Sequence, residues 1–131
     1  MRTLQEFLGP WRALRFDWAE RNCCHLVAAW VREREGLSPL EGLAPMPRTQ
    51  AGVLRRMIRL GGLRAAWTRQ LRREPIPAPA AMLGDVVLLA IGEGEFAGIC
   101  NGRTALLMSS AGLVALPMDA AVCAWRLGNH A

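Results

Sequence analysis

The sequence contains no lysine and no tyrosine. Without lysine there is no P-loop, whose phosphate-binding chemistry needs that ammonium. All 16 basic residues are therefore arginine, alongside 20 alanines. That bias fits a GC-rich coding sequence and need not reflect a demand for guanidinium chemistry. Histidine is scarce: only His25 and His130 occur, and no H-E-x-x-H motif is present. No C-x-x-C pair is available for zinc. Cys23, Cys24 and His25 are consecutive, and neighbours on a helix point in different directions, so they cannot all clasp one metal. No metal or cofactor is expected. Long hydrophobic runs are missing too. Stretches such as Val86 to Ile91 are far shorter than a membrane span. The N-terminus carries Glu6 and no long apolar region, so it does not read as a signal peptide. A soluble protein made in a cytoplasm is expected. The four cysteines do not form a secreted disulfide framework, and Cys100 and Cys123 read as buried reduced thiols.

What is present is an ordinary globular composition, 52% hydrophobic and 21% charged over 131 residues. One domain with its own core is expected, without staples. The charge is unevenly placed. Residues 1–47 are neutral, 48–73 carry eight arginines and no acid, and 74–131 have a net charge of −3. Such a basic block suits an acidic protein surface, a nucleic acid or an anionic surface. Only Trp67 interleaves with it and no nucleic-acid-binding fold signature accompanies it, which disfavours nucleic acid. Arg55, Arg56, Arg59, Arg64, Arg69, Arg72 and Arg73 are expected on an outer, solvated or partner-facing surface.

Periodicity divides the chain in two. Leu4, Phe7, Leu8, Trp11 and Leu14 have helical spacing interrupted by Gly9-Pro10, predicting one short helix and then an extended approach. Residues 22–36 are the clearest helix, with Asn22 as N-cap, an apolar stripe of Cys23, Leu26, Val27, Trp30 and Val31, and Gly36 after the last turn. Pro39, Gly42, Pro45 and Pro47 mark a loop. Thr49 caps a third helix with Val53, Leu54, Met57 and Ile58, running to Gly61-Gly62. A fourth follows with Leu63, Ala66, Trp67 and Leu71. Alternate prolines in 74–80 predict an extended, non-helical linker. From Gly84 onward short apolar runs alternate with turn signals, among them Asn101-Gly102, predicting an antiparallel meander of five strands. The fold class is α+β: helices over residues 1–73, a proline linker over 74–83 and antiparallel strands over 84–127.

Gly92-Glu93-Gly94-Glu95-Phe96-Ala97 matches the dinucleotide fingerprint in letters. The fingerprint needs a helix next, whereas a strand follows, and two glutamates would repel phosphate. A hairpin is expected instead. Cys23 is the one position where chemistry is plausible. A thiol opening a helix feels the positive end of the dipole, and Arg21 adjoins it in sequence.

Several segments together carry a resemblance. They are Trp18 to Cys24, Gly61-Gly62, Gly84-Asp85-Val86-Val87-Leu88, Phe96-Ala97-Gly98-Ile99-Cys100-Asn101-Gly102 and Ala124-Trp125-Arg126. In order and spacing the chain resembles a small branch, from tailed phages and prophages, of the NlpC-like cell-wall peptidase superfamily. The resemblance covers most of the chain. It implies a papain-like fold, with a cysteine-bearing helix packed on a small antiparallel barrel or sheet, and Cys23 as the candidate nucleophile. It also locates the departures. Phe96 stands where the catalytic histidine is usual, the second polar position falls near Met108 or Ser109, and Asn22 replaces the usual aspartate. A cysteine hydrolase needs a base beside the thiol. His25 lies two positions along the same helix, about 200° round, and His130 is penultimate. The resemblance thus implies a structural component of a phage tail tip, located in the virion tail. Its partners would be neighbouring tail-tip proteins with acidic surfaces. The alternatives are an active hydrolase on peptidoglycan and a nucleic-acid-binding module.

Overall fold

The computed structural model describes residues 2–18, 21–39 and 47–128. Among them four helices precede six strands: α1 (Leu4–Trp11), α2 (Cys23–Glu35), α3 (Gln50–Arg59), α4 (Leu63–Leu71), β1 (Ile76–Pro77), β2 (Val86–Ile91), β3 (Gly94–Cys100), β4 (Thr104–Ser109), β5 (Gly112–Pro117) and β6 (Ala121–Trp125). The architecture is α+β, helices first and strands after. The strands make one antiparallel sheet in the order β1-β6-β2-β3-β4-β5. The sheet is open, since its edge strands β1 and β5 do not pair. It is not a simple meander either, because β6 returns to lie beside β2.

Local chemistry explains the helix ends. The Asn22 side chain accepts the His25 N–H at 3.1 Å, and the His25 ring nitrogen accepts the Asn22 N–H at 3.2 Å. This reciprocal box satisfies two donors that a helix start leaves open. Gly36 ends α2 at φ 75°, a left-handed position that glycine takes without a Cβ clash. Thr49 caps α3 through the Gly52 N–H. The expected break at Gly9-Pro10 does not occur. α1 runs on to Trp11 with Pro10 in its last turn, where the missing N–H removes one bond and nothing beyond it depends on it.

The proline segment is less of a linker than its composition suggests. Ile76 and Pro77 pair with Ala124 and Cys123, adding β1 to the sheet edge, where a proline is tolerated. Ala78–Ala80 then close a single 3-10 turn with Pro79 in its first positions, so the expectation of a wholly non-helical path is corrected. The second hairpin also shifts by one residue. The Asn101 N–H donates to the Thr104 carbonyl, so Gly102 and Arg103, rather than Asn101 and Gly102, form the loop, with Gly102 at φ 90°. The first hairpin is a two-residue loop, Gly92-Glu93, between the paired Ile91 and Gly94. It has no helix behind it for a pyrophosphate.

Alternation along β2 and β3 gives the sheet two apolar faces. Val86, Leu88, Ala97 and Ile99 belong with Leu26, Val27, Trp30 and Val31 in the core under the helices. Val87, Leu89 and Cys100 belong to a second cluster on the other face, covered by Ile76, Phe96, Val114, Leu116 and Met118 from the strands and turns themselves. Trp30 ties α2 to the sheet, its indole N–H donating to the Gly84 carbonyl at 2.8 Å.

β3 and β4 pair only through Ile99–Leu106 and Cys100–Ala105, so they diverge toward the start of β3. Gly98 lies at the parting. A Cβ there would come within 2.8 Å of the Leu106 carbonyl oxygen and 3.2 Å of Leu89. Backbone cannot give way as a side-chain tip can. Gly98→Ala is expected to cost about 1–3 kcal/mol by overpacking. A denaturation midpoint equal to that of the unaltered protein would show that the approach is not tight.

Candidate functional site

Cys23 is the first residue of α2, half-buried, with Asn22 before it as the cap. The Cys24 thiol and the Ala97 backbone N–H of β3 lie close enough to its sulfur to bear on its titration. These two contacts and the helix start all favour a negative sulfur. Cys23 accordingly titrates below the ordinary thiol range, chiefly through the Cys24 thiol and against the opposing effect of burial. Cys24 is pushed well above that range by its bond to Cys23, by burial and by repulsion from a charged Cys23. Trp67, fully buried, turns its indole N–H toward Cys24 without closing a regular hydrogen bond. The two neighbouring thiols are thus shifted in opposite directions, Cys23 down and Cys24 up.

A base is missing from this arrangement among the described residues. The His25 ring nitrogen Nδ1 faces Asn22, 2.9 Å from Oδ1 and 3.2 Å from the backbone N–H, and no hydrogen bond joins that ring to Cys23. His130 lies outside the described residues. Arg21 Nε donates to the Arg15 carbonyl at 2.7 Å. Phe96, which stands in sequence where the catalytic histidine is usual, is not on the Cys23 side of the sheet. Side chains alternate along a strand, and Phe96 falls on the second face of the sheet, packed against the cluster that holds Val87 and Leu89. Its neighbour Ala97 takes the helix side, in the same core as Cys23, and offers only a methyl group. Met108 is buried in that core, while the Ser109 hydroxyl bonds the Gly112 carbonyl and the Ala111 N–H within its own turn. No polar group is left at either position to orient a base.

The arginine block is not uniform. Arg55, Arg59, Arg64, Arg69 and Arg72 are exposed. Arg69 donates to the Leu60 carbonyl. Arg56 is half-buried. Arg73 departs from the outward placement expected of it. Its fork meets both Glu35 carboxylate oxygens, at 2.6 and 2.8 Å, and also donates to the Arg126 carbonyl at 2.7 Å. That geometry joins α2, α4 and the end of β6, with the charge compensated where it is buried. Glu35 also accepts the Gly128 N–H. An open groove of about 410 Å³ runs past Arg64, Thr68, Arg69 and Glu74 and does not include Cys23.

Sequence reasoning assigned Asp85 no role, yet it is the most heavily bonded carboxylate in the second half. It is fully buried. Oδ2 accepts from the Met82 N–H at 2.8 Å and from Arg126 Nε at 3.0 Å, and Oδ1 accepts from the Leu127 N–H at 3.1 Å. Gly84-Asp85 and Trp125-Arg126, two of the motifs behind the resemblance, therefore meet in one structural knot. The only available signal was a lone aspartate opening a run of apolar residues.

Among the described residues, no three His, Cys, Asp or Glu side chains gather as metal ligands, and no helix is long and apolar enough to cross a membrane. The family model described as "Domain of unknown function (DUF6950)" matches residues 1–127, and the chain belongs to that family. A comparison with curated proteins found no match.

Proposed function

We propose that this DUF6950 chain is a non-hydrolytic structural component of a phage or phage-like tail tip, a papain-like (NlpC-like) module retained without its catalytic base. The observation behind this reading is the surroundings of Cys23, where the helix side of β3 presents Ala97 and the nearby ring of His25 is turned to Asn22. A thiol with neither an imidazole nor a carboxyl group beside it to take its proton and return one to the leaving amine is poorly equipped to cleave an amide. Its partners would be neighbouring tail-tip proteins with acidic surfaces, and its place the virion tail. The test is incubation of the purified chain with peptidoglycan, beside Cys23→Ala. No release of soluble fragments above the Cys23→Ala background is expected. Cys23-dependent release would overturn the reading.

A second reading has its own observation. Cys23 titrates low and lies at a helix start beside the Ala97 N–H, which suits a nucleophile. An active cysteine hydrolase on peptidoglycan would use that thiolate with a base from elsewhere. The same assay decides between them.

A further inference from the structure

We infer that the outward face of α3 is a docking surface for an acidic amphipathic helix of a partner protein. The biological setting of this inference rests on the structural-module reading above. The large apolar residues of α3 are Val53, Leu54, Met57 and Ile58, and spacing alone puts all four on one stripe. The domain covers only half of that stripe. Val53 and Met57 are buried at 8% exposure each, whereas Leu54 is 50% and Ile58 75% exposed. Leu54 and Ile58 are four residues apart, so they form one ridge about 100° round from the buried pair. Arg55 and Arg59 border that ridge, are exposed, and form no ion pair among the described residues.

The chemistry of the occupant follows from this pattern. An apolar ridge bordered by guanidinium groups is complementary to apolar side chains bordered by carboxylates. Residues 48–73 contain eight arginines and no acid, so the carboxylates must come from elsewhere. A second copy of this chain is a poor occupant, because a symmetric contact at α3 would set Arg55 and Arg59 against their own equivalents. Nucleic acid would use the arginines but leave the ridge without a role.

The test uses the full chain and a synthetic peptide with leucines at helical spacing and glutamates on its remaining faces, read by fluorescence anisotropy. Binding that weakens at least about tenfold in Leu54→Ser/Ile58→Ser, and equally in Arg55→Glu/Arg59→Glu, is expected. A control peptide with lysine in place of glutamate should not bind. All four side chains face solvent, so both variants should keep the parent melting temperature. Four results would overturn the inference. The first is no preference for the acidic peptide over the control. The second is duplex DNA binding that falls steeply with salt and ignores Leu54 and Ile58. The third is capture by phosphatidylglycerol vesicles with no peptide binding. The fourth is a concentration-dependent dimer abolished by Ile58→Ser. Peptide binding combined with Cys23-dependent peptidoglycan cleavage would sink the structural-module reading alone. Absent binding with no cleavage would sink the docking surface alone.

Discussion

Asp85→Ala is expected to destabilise the fold by about 3–5 kcal/mol, the range for breaking a buried, hydrogen-bonded charge pair. The carboxylate is 0% exposed and holds two backbone N–H groups and one guanidinium. Alanine removes all three acceptor contacts at once. The Arg126 side chain is 43% exposed and regains water, so its loss is the smaller share. The Leu127 N–H has no such recourse, because Leu127 is buried at 1% exposure. The knot also fixes the path from the 3-10 turn at Ala78–Ala80 to β2, since Arg126 reaches the Ala80 carbonyl at 2.6 Å. Thermal denaturation should show Tm lower by roughly 10–20 °C. Asp85→Asn keeps one acceptor and should fall between. If Asp85→Ala melts within about 2 °C of the unaltered protein, the knot does not hold the start of β2 to the end of β6.

The elements that were legible in the sequence are those whose stabilising chemistry is local. Asn22 and Gly36 mark both ends of α2 because caps act through neighbours three or four residues away. The hairpin at Gly92-Glu93 is local in the same sense. Errors arose where distant partners decide. Ile76 and Pro77 become a strand only because β6 returns beside them, a contact that composition cannot announce. Asn101-Gly102 has the strongest turn letters, yet pairing of Cys100 with Ala105 moves the loop one residue on. That single-residue register also decides the site. Phe96 and Ala97 are adjacent in sequence but lie on opposite faces, so a motif aligned by letters does not say which one meets Cys23. Arg73 and Arg72 look alike in a basic run. The first joins Glu35, and the second ends α4 at φ 58°, exposed.

Among the four cysteines, Cys23 is expected to be alkylated by iodoacetamide at pH 7 more than about tenfold faster than any other. Lowering a thiol pKa by one unit raises its thiolate fraction by up to about tenfold but weakens each thiolate by about threefold, a net gain of only about threefold. Access must supply the rest. Cys24, Cys100 and Cys123 are 1–3% exposed, while Cys23 is half-buried. Cys24→Ala removes the thiol that contributes most to the lowered titration of Cys23. It should slow labelling of Cys23 at pH 7 and move the labelling midpoint upward. The same groups set a pH dependence of stability. Cys24, Cys100 and Cys123 titrate above the ordinary thiol range, each held up partly or chiefly by burial. For them the folded chain binds protons more tightly than the unfolded chain, so their contribution is complete below about pH 8.5 and is lost as pH rises beyond it. Cys23 has the opposite sign. Its contribution is absent below its lowered pKa and grows until the unfolded thiol also ionises. Once pH passes the unfolded thiol pKa the Cys23 contribution is constant while the raised thiols still lose theirs, so stability measured by urea denaturation should fall between about pH 9 and pH 10. Stability that stays level across that interval, or Cys100 labelling as fast as Cys23, would mean that the thiols are not held in the environments described.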